Sequence, residues 1–289
     1  MNTTRSTTAD KSVWCALIEL EQHHPKDAEK YVSALTASIT EKIFLQGQIL
    51  QEYGIETLHL QQQLDGYVNA NHDPVAWLIL GHVYYTRADY ARAEVAYRQA
   101  MAAPHPNVLA YYAMAQVEVG RGNRRQAIAY LEQAVVMNLA FTKSYRALGG
   151  LYEQEKDYQQ ASVTYERGLQ YAPDDPALLN NLAWAHLMLG CDIGIAYMHI
   201  RKAIILAPED PELQDTLAWC YYLTQDYLQA ITLLNKIVKA QPEHALYRHH
   251  LGMAYLKSGD SAQAQQHLQR ALDLGIDPDS RRLIKEHMP

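Results

Sequence analysis

The sequence predicts an all-α protein, a solenoid of stacked antiparallel helical hairpins, and three observations carry that prediction. First, small residues recur at a fixed period: Gly81, Ala115, Gly149, Ala183, Ala218 and Gly252 are spaced 34, 34, 34, 35 and 34 residues apart. Second, two further series keep the same step. Alanine returns at Ala93, Ala127, Ala161, Ala196, Ala230 and Ala264, and a large residue at Tyr97, Leu131, Tyr165, Ile200, Leu234 and Leu268. Third, apolar residues inside each period fall at helical spacing, as in Trp77, Leu80, Gly81 and Tyr84, and again in Tyr145, Leu148, Gly149 and Tyr152. A period of this length marks an array of repeated supersecondary units.

Taken in chain order, residues 1–9 are polar and predict a flexible tail. Residues 10–73 predict helical hairpins. The first is split near Pro25; the second, over 40–73, reads as a degenerate repeat in which Gly47 keeps the register but His59 stands where the others have Ala. Six full repeats follow, at 74–107, 108–141, 142–175, 176–210, 211–244 and 245–278. Breakers such as Gly120 to Asn123, Lys156-Asp157, Gly190 to Gly194 and Ser258 to Asp260 divide the periods into two helices. Each helix is roughly 13 residues, or about 20 Å, long. Pro173, Pro208 and Pro242 close three of the second helices. One hairpin cannot bury its own apolar face, whereas stacked hairpins share a continuous core. Residues 279–289, with Leu283 and Ile284 as their aliphatics, predict a capping helix over the last apolar face.

The pattern resembles the tetratricopeptide repeat (TPR) family. Residues 142–175 match best, with Tyr145, Leu148, Gly149, Tyr152, Ala161, Tyr165, Gly168 and Pro173 at the signature positions. Two departures are visible: repeat 176–210 has one extra residue near its turn, and Glu118 replaces an expected aromatic. The resemblance implies a right-handed superhelical solenoid whose first helices line a concave groove.

Composition excludes several function classes. Apolar residues make up 48% of the 289, enough to build a core and to exclude disorder. The net charge of −7, from 25 basic and 32 acidic residues, opposes nucleic-acid binding. Residues 1–72 carry 5 basic and 9 acidic residues, which also disfavours a helix-turn-helix reader there. Cys15, Cys191 and Cys220 have no CxxC spacing and read as reduced, idle thiols. No apolar run reaches membrane-spanning length, so no membrane insertion is expected. Read as beginning at Met1 without a secretory signal, the chain is expected to be cytoplasmic.

No catalytic motif emerges: there is no Gly-rich phosphate loop, no GxSxG and no HExxH. None of the thirteen histidines pairs with another at i, i+4, so no metal is expected, nor any other cofactor. An enzyme is not expected.

Register within the resemblance places groove residues at the second, fifth, ninth and twelfth positions of each first helix. Candidate partner-binding residues are Tyr85 and Tyr112 in the first two repeats, Lys143 and Arg146 in the third, Asn180, neighbouring Asn181 and Trp184 in the fourth, and Asp215, Trp219 and Tyr222 in the fifth. Lys143 and Arg146 suit a carboxylate or phosphate, or pair with Glu153. The aromatics suit an interface anchor, or serve packing between neighbouring first helices. The groove reads as more apolar than charged, which favours an amphipathic helix or an extended apolar peptide. The clamp by which some family members hold a chaperone tail is not met, because Gly150 follows Arg146 and the later positions hold Glu212 and Thr216.

The expected function is therefore a non-enzymatic scaffold that binds a partner peptide or helix. The alternatives are a peptide- or ligand-responsive regulator and an assembly factor for a bacterial envelope machine such as a pilus or an exopolysaccharide exporter. The N-terminal hairpins pack either on the first repeat or on a second copy of the chain, as a homodimer.

Overall fold

A computed structural model describes residues 64–68, 72–104, 107–190 and 193–287. The expected hairpins before residue 64, the tail at 1–9, the N-terminal dimer surface, Cys15 and Cys191 lie outside the described residues. Those residues contain helices and no strand. No helix among them is long and apolar enough to cross a membrane.

The chain divides into two compact units, Met1–Asn138 and Leu139–Pro289. In the first, a helical segment over 64–68 precedes α1 (Pro74–Thr86), α2 (Tyr90–Met101), α3 (Val108–Gly120) and α4 (Arg124–Met137). The second holds α5 (Thr142–Gln154), α6 (Tyr158–Tyr171), α7 (Pro176–Met188), α8 (Ile193–Leu206), α9 (Pro211–Leu223), α10 (Tyr227–Ala240), α11 (Ala245–Ser258), α12 (Ser261–Asp273) and α13 (Pro278–His287). Within each unit the helices of a hairpin pack on each other, each second helix packs on the first helix of the next hairpin, and first helices touch one another.

Local chemistry explains where the helices begin. Asp73, Asp175 and Asp210 each precede a proline, and each carboxylate accepts a first-turn backbone N–H at 2.9 to 3.0 Å. An N-cap acceptor followed by proline, whose missing N–H costs nothing at that position, is a strong start signal. Second helices start on Asp89, Asp157, Asp226 and Asp260, which accept from the backbone N–H of Arg92, Gln160, Gln229 and Gln263.

The hairpin turns repeat as well. Ala88, Gly122, Lys156, Gly190, Gln225 and Gly259 all have positive φ, between 57° and 92°. Three turns supply glycine; Ala88, Lys156 and Gln225 carry the steric cost of a Cβ in the left-handed region.

Packing accounts for the small-residue series. A Cβ added at Gly81 would lie 2.4 Å from the ring of Tyr97, and one at Gly149 would lie 2.2 Å from the ring of Tyr165. Where Ala115, Ala183 and Ala218 occupy that position, the facing register holds the smaller Leu131, Ile200 and Leu234, all buried. Five of the six pairs thus exchange volume, Gly with Tyr and Ala with Leu or Ile; the sixth departs, because Gly252 faces Leu268, whose Cγ would lie 2.6 Å from an added Cβ.

At the ends of the described chain, Leu64 and Val68 are buried and the Tyr84 hydroxyl donates to Asp65 at 3.2 Å. Ile284 of α13 is buried against Met253, Leu268, Ala271 and Ile276. Lys156 Nζ meets Asp279 Oδ2 at 2.6 Å, joining the α5–α6 turn to α13 within the second unit.

Candidate functional site

Three consecutive first helices of the second unit, α7, α9 and α11, build a pocket of about 270 Å³. Asn180, Asn181 and Trp184 line it from α7; Glu212, Asp215 and Thr216 from α9; Leu246 and Tyr247 from α11, with His244 at the start of that helix. The capped helix starts set this arrangement. Asp175 and Asp210 place α7 and α9 in the same register, so that Asn180 and Asp215 are each the fifth residue of their helix.

A buried ion-type pair lies beside it. Asp215, 5% exposed, accepts from His250 Nδ1 at 2.9 and 3.0 Å to its two oxygens. The His250 ring stacks on Trp219 with centroids 4.3 Å apart, and Trp219 stacks on Tyr222 at 4.5 Å. Trp184 approaches the same imidazole at 6.2 Å. His250 is thus held by a carboxylate at its edge and indoles around it.

The polar groups of the lining are the Asn180 and Asn181 amides, the Glu212 and Asp215 carboxylates, the Thr216 and Tyr247 hydroxyls and the His244 imidazole, beside the Trp184 indole. Asn180 is 9% exposed, and its Oδ1 has no hydrogen-bond partner among the described residues. Glu212 is exposed and pairs with no cation among them. Burial, helped by the charges of Asp215, Glu212 and Asp210, pushes the Tyr247 hydroxyl up to about 12. Nearby, burial raises the Glu153 carboxyl to about 7, and the Tyr165 hydroxyl lies close to both Glu153 and Asn181. Burial, followed by the neighbouring His250, lowers the His249 imidazole to about 4, and neither ring nitrogen has a partner among the described residues.

The structure sorts the candidates. Asn180, Asn181, Trp184 and Asp215 meet in the pocket. Trp219 and Tyr222 do not line it; they pack against Met253, Leu268 and Ile276. Lys143 and Arg146 lie on α5 outside the pocket, and neither pairs with Glu153 among the described residues, because that carboxyl turns inward toward Tyr165. Tyr85 and Tyr112 belong to the other unit, where Tyr85 stacks near His82 and Tyr90. In the second unit that face carries a pocket whose lining is mostly apolar, with Trp184 at its wall and Asn180, Asn181, Glu212 and Asp215 among its polar groups.

Four participants escaped the sequence reading: Thr216, His244, Tyr247 and His250. A signal existed for one of them. Asp215 and His250 are 35 residues apart, one repeat period, so the period already placed them on adjacent first helices. No group of three or more His, Cys, Asp or Glu among the described residues is arranged to hold a metal ion.

Three TPR family models match the chain, one over residues 112–162, one over 215–244, and one over both 74–103 and 245–274. Among solved structures it is similar to the APC/C hetero-tetramer Cut9-Hcn1, with a TM-score of 0.64 and 17% identity over 100% of this chain. It spans 65% of the length of that relative. It is also similar to pilF of Pseudomonas aeruginosa (TM-score 0.61, 17% identity, 74% of this chain and 97% of that one). A tetratricopeptide repeat protein of Parabacteroides merdae gives a TM-score of 0.58 at 14% identity, over 97% of this chain and 99% of that one. At such identities the likeness speaks for the fold alone. No curated protein matches the chain.

Proposed function

Starting from the premise that this chain belongs to the tetratricopeptide repeat family, we propose that it is a non-enzymatic scaffold that binds a peptide segment of a partner protein on the first-helix face of its fourth to sixth repeats. The family is in general one of interaction scaffolds rather than catalysts, and consecutive first helices offer a partner a continuous surface. The observation that carries the reading is the pocket shared by α7, α9 and α11, a mostly apolar recess with Trp184 at its wall and polar groups from all three helices or their starts. Trp184, half-buried at the wall, is the type of residue that anchors interfaces.

Affinity capture with the full chain and with a Trp184→Ala variant, shown by circular dichroism to be folded, tests this. The expected result is a partner retained by the wild type and lost by the variant, with direct binding reproduced from purified components. Equal retention by both removes this pocket from the binding surface.

A further inference from the structure

We infer that the cavity at the α3–α4 turn of the first unit is an anion site that takes a phosphoryl group. It lies wholly within that unit and does not rest on the peptide-binding reading above.

Charge comes first. In a chain of net charge −7, four arginines share the lining of one cavity of about 700 Å³. Arg98 comes from α2, Arg121 from the residue directly after α3, and Arg124 and Arg125 from the first turn of α4. Cations gathered round one cavity repel one another, and a bound anion turns that repulsion into attraction.

The partners these cations already have come second. Arg98 donates from Nε to Glu94 at 2.9 Å. Arg121 donates from Nη1 to Glu94 at 2.6 Å and to Glu118 at 3.1 Å, and from Nη2 to the Tyr90 carbonyl at 2.9 Å. Those bonds occupy part of each five-donor fork. Arg124 and Arg125 are exposed, and no carboxylate among the described residues pairs with either. Four guanidiniums therefore stand against two carboxylates, Glu94 and Glu118, and two positive charges are left over. Glu118, the one acid in the lining, opposes an anion little. It is 5% exposed, and its two oxygens accept from Arg121 and from the Asn123 side chain.

A phosphoryl group suits this balance better than one carboxylate. It carries nearly two negative charges at neutral pH and offers three strong acceptor oxygens, enough for guanidiniums from more than one helix. The arginines share a single cavity rather than a stripe along the surface, which suits one phosphoryl group over a nucleic-acid backbone. The group belongs either to a phosphorylated side chain of a partner or to a free phosphate, and the test separates these sources.

The full chain is titrated at fixed ionic strength with inorganic phosphate, with a short peptide bearing one phosphoserine, and with the same peptide unphosphorylated. Calorimetry gives the affinity and the arginine Nε–Hε resonances give the place. The expected result is saturable binding of a phosphorylated probe, no binding of the unphosphorylated peptide, and shifted Arg98 and Arg121 resonances. An Arg124→Gln, Arg125→Gln double variant is expected to weaken binding about tenfold or more. Both side chains are exposed, so the variant is expected to keep the wild-type circular dichroism. Arg281→Gln with Arg282→Gln, which removes another adjacent exposed pair on α13, is expected to bind as the wild type does. A phosphopeptide bound more tightly than inorganic phosphate assigns the group to a partner's side chain, and the reverse order assigns it to free phosphate. No saturation by either probe, equal binding by the Arg124/Arg125 variant, or an equal loss in the α13 variant overturns the inference. None of these outcomes bears on the Trp184→Ala capture experiment.

Discussion

Two buried carboxylates, Glu118 in the first unit and Asp215 in the second, are equally hidden at 5% exposed and yet sit in opposite kinds of surroundings. Glu118 is saturated locally. It accepts from Arg121 at 3.1 Å and from the Asn123 side chain at 2.7 Å, and Arg121 goes on to Glu94 at 2.6 Å and to the Tyr90 carbonyl at 2.9 Å. This network replaces the aromatic contact expected at that register and ties the α3–α4 turn to α2. It also diverts Asn123 from capping, and α4 starts without a side-chain cap hydrogen bond. Asp215 reaches across to His250 on another repeat, and both its oxygens accept from that one imidazole. Glu118 is held from its own turn by Arg121 and Asn123, whereas Asp215 is held by the next repeat at the wall of a pocket.

Removing each carboxylate is the strongest way to break this contrast. Asp215→Ala strands His250 and is expected to cost about 3 kcal/mol in denaturant unfolding, together with peptide binding. Glu118→Ala is expected to cost less, about 1–2 kcal/mol, because Arg121 keeps Glu94, and to leave binding unchanged. Equal losses of binding would erase the distinction.

The pH dependence of unfolding sharpens it next. Glu153, held up to about 7 from 4.5, binds its proton more tightly in the folded chain, so stability falls as pH rises from 4.5 to 7. His249, held down to about 4 from 6.5, binds its proton less tightly when folded, so stability rises between pH 4 and 6.5. Each contribution is about 3 kcal/mol and they oppose one another. Glu153→Gln is expected to expose the rise alone, and His249→Phe the fall alone, in urea midpoints measured across that range.

A smaller effect separates a stability role from a binding role. His249→Phe and Asn180→Leu each replace a buried, unpartnered polar group by an apolar one and are expected to gain about 1 kcal/mol in thermal unfolding. Only Asn180→Leu, which changes the pocket lining, is expected to weaken binding of the partner. Smallest of all, Gln225→Gly relieves the left-handed turn residue and is expected to gain about 0.5 kcal/mol, with binding untouched.

Much of the fold was legible in the sequence because its causes are local. Asp-Pro pairs start α1, α7 and α9, breakers divide the hairpins, and the exchange of Gly with Tyr for Ala with Leu or Ile is written in five of the six repeats. The site was legible only in part. Asn180, Asn181, Trp184 and Asp215 follow from register, but register cannot say which of three aromatics is committed to packing. Trp219 and Tyr222 turned out to be part of the stack around His250, and Lys143 and Arg146 lie on a different helix from any that lines the pocket.

By itself the sequence determined the helices, their ends, the repeat and the family, since capping, proline and helical spacing act within a few residues or within one period. Tertiary structure alone decided that His250 closes on Asp215, that Glu153 turns away from Lys143 and Arg146, and that Asn180 is left with an unused oxygen. Those outcomes depend on how side chains from successive repeats face one another, and that angle belongs to the stack rather than to any single hairpin.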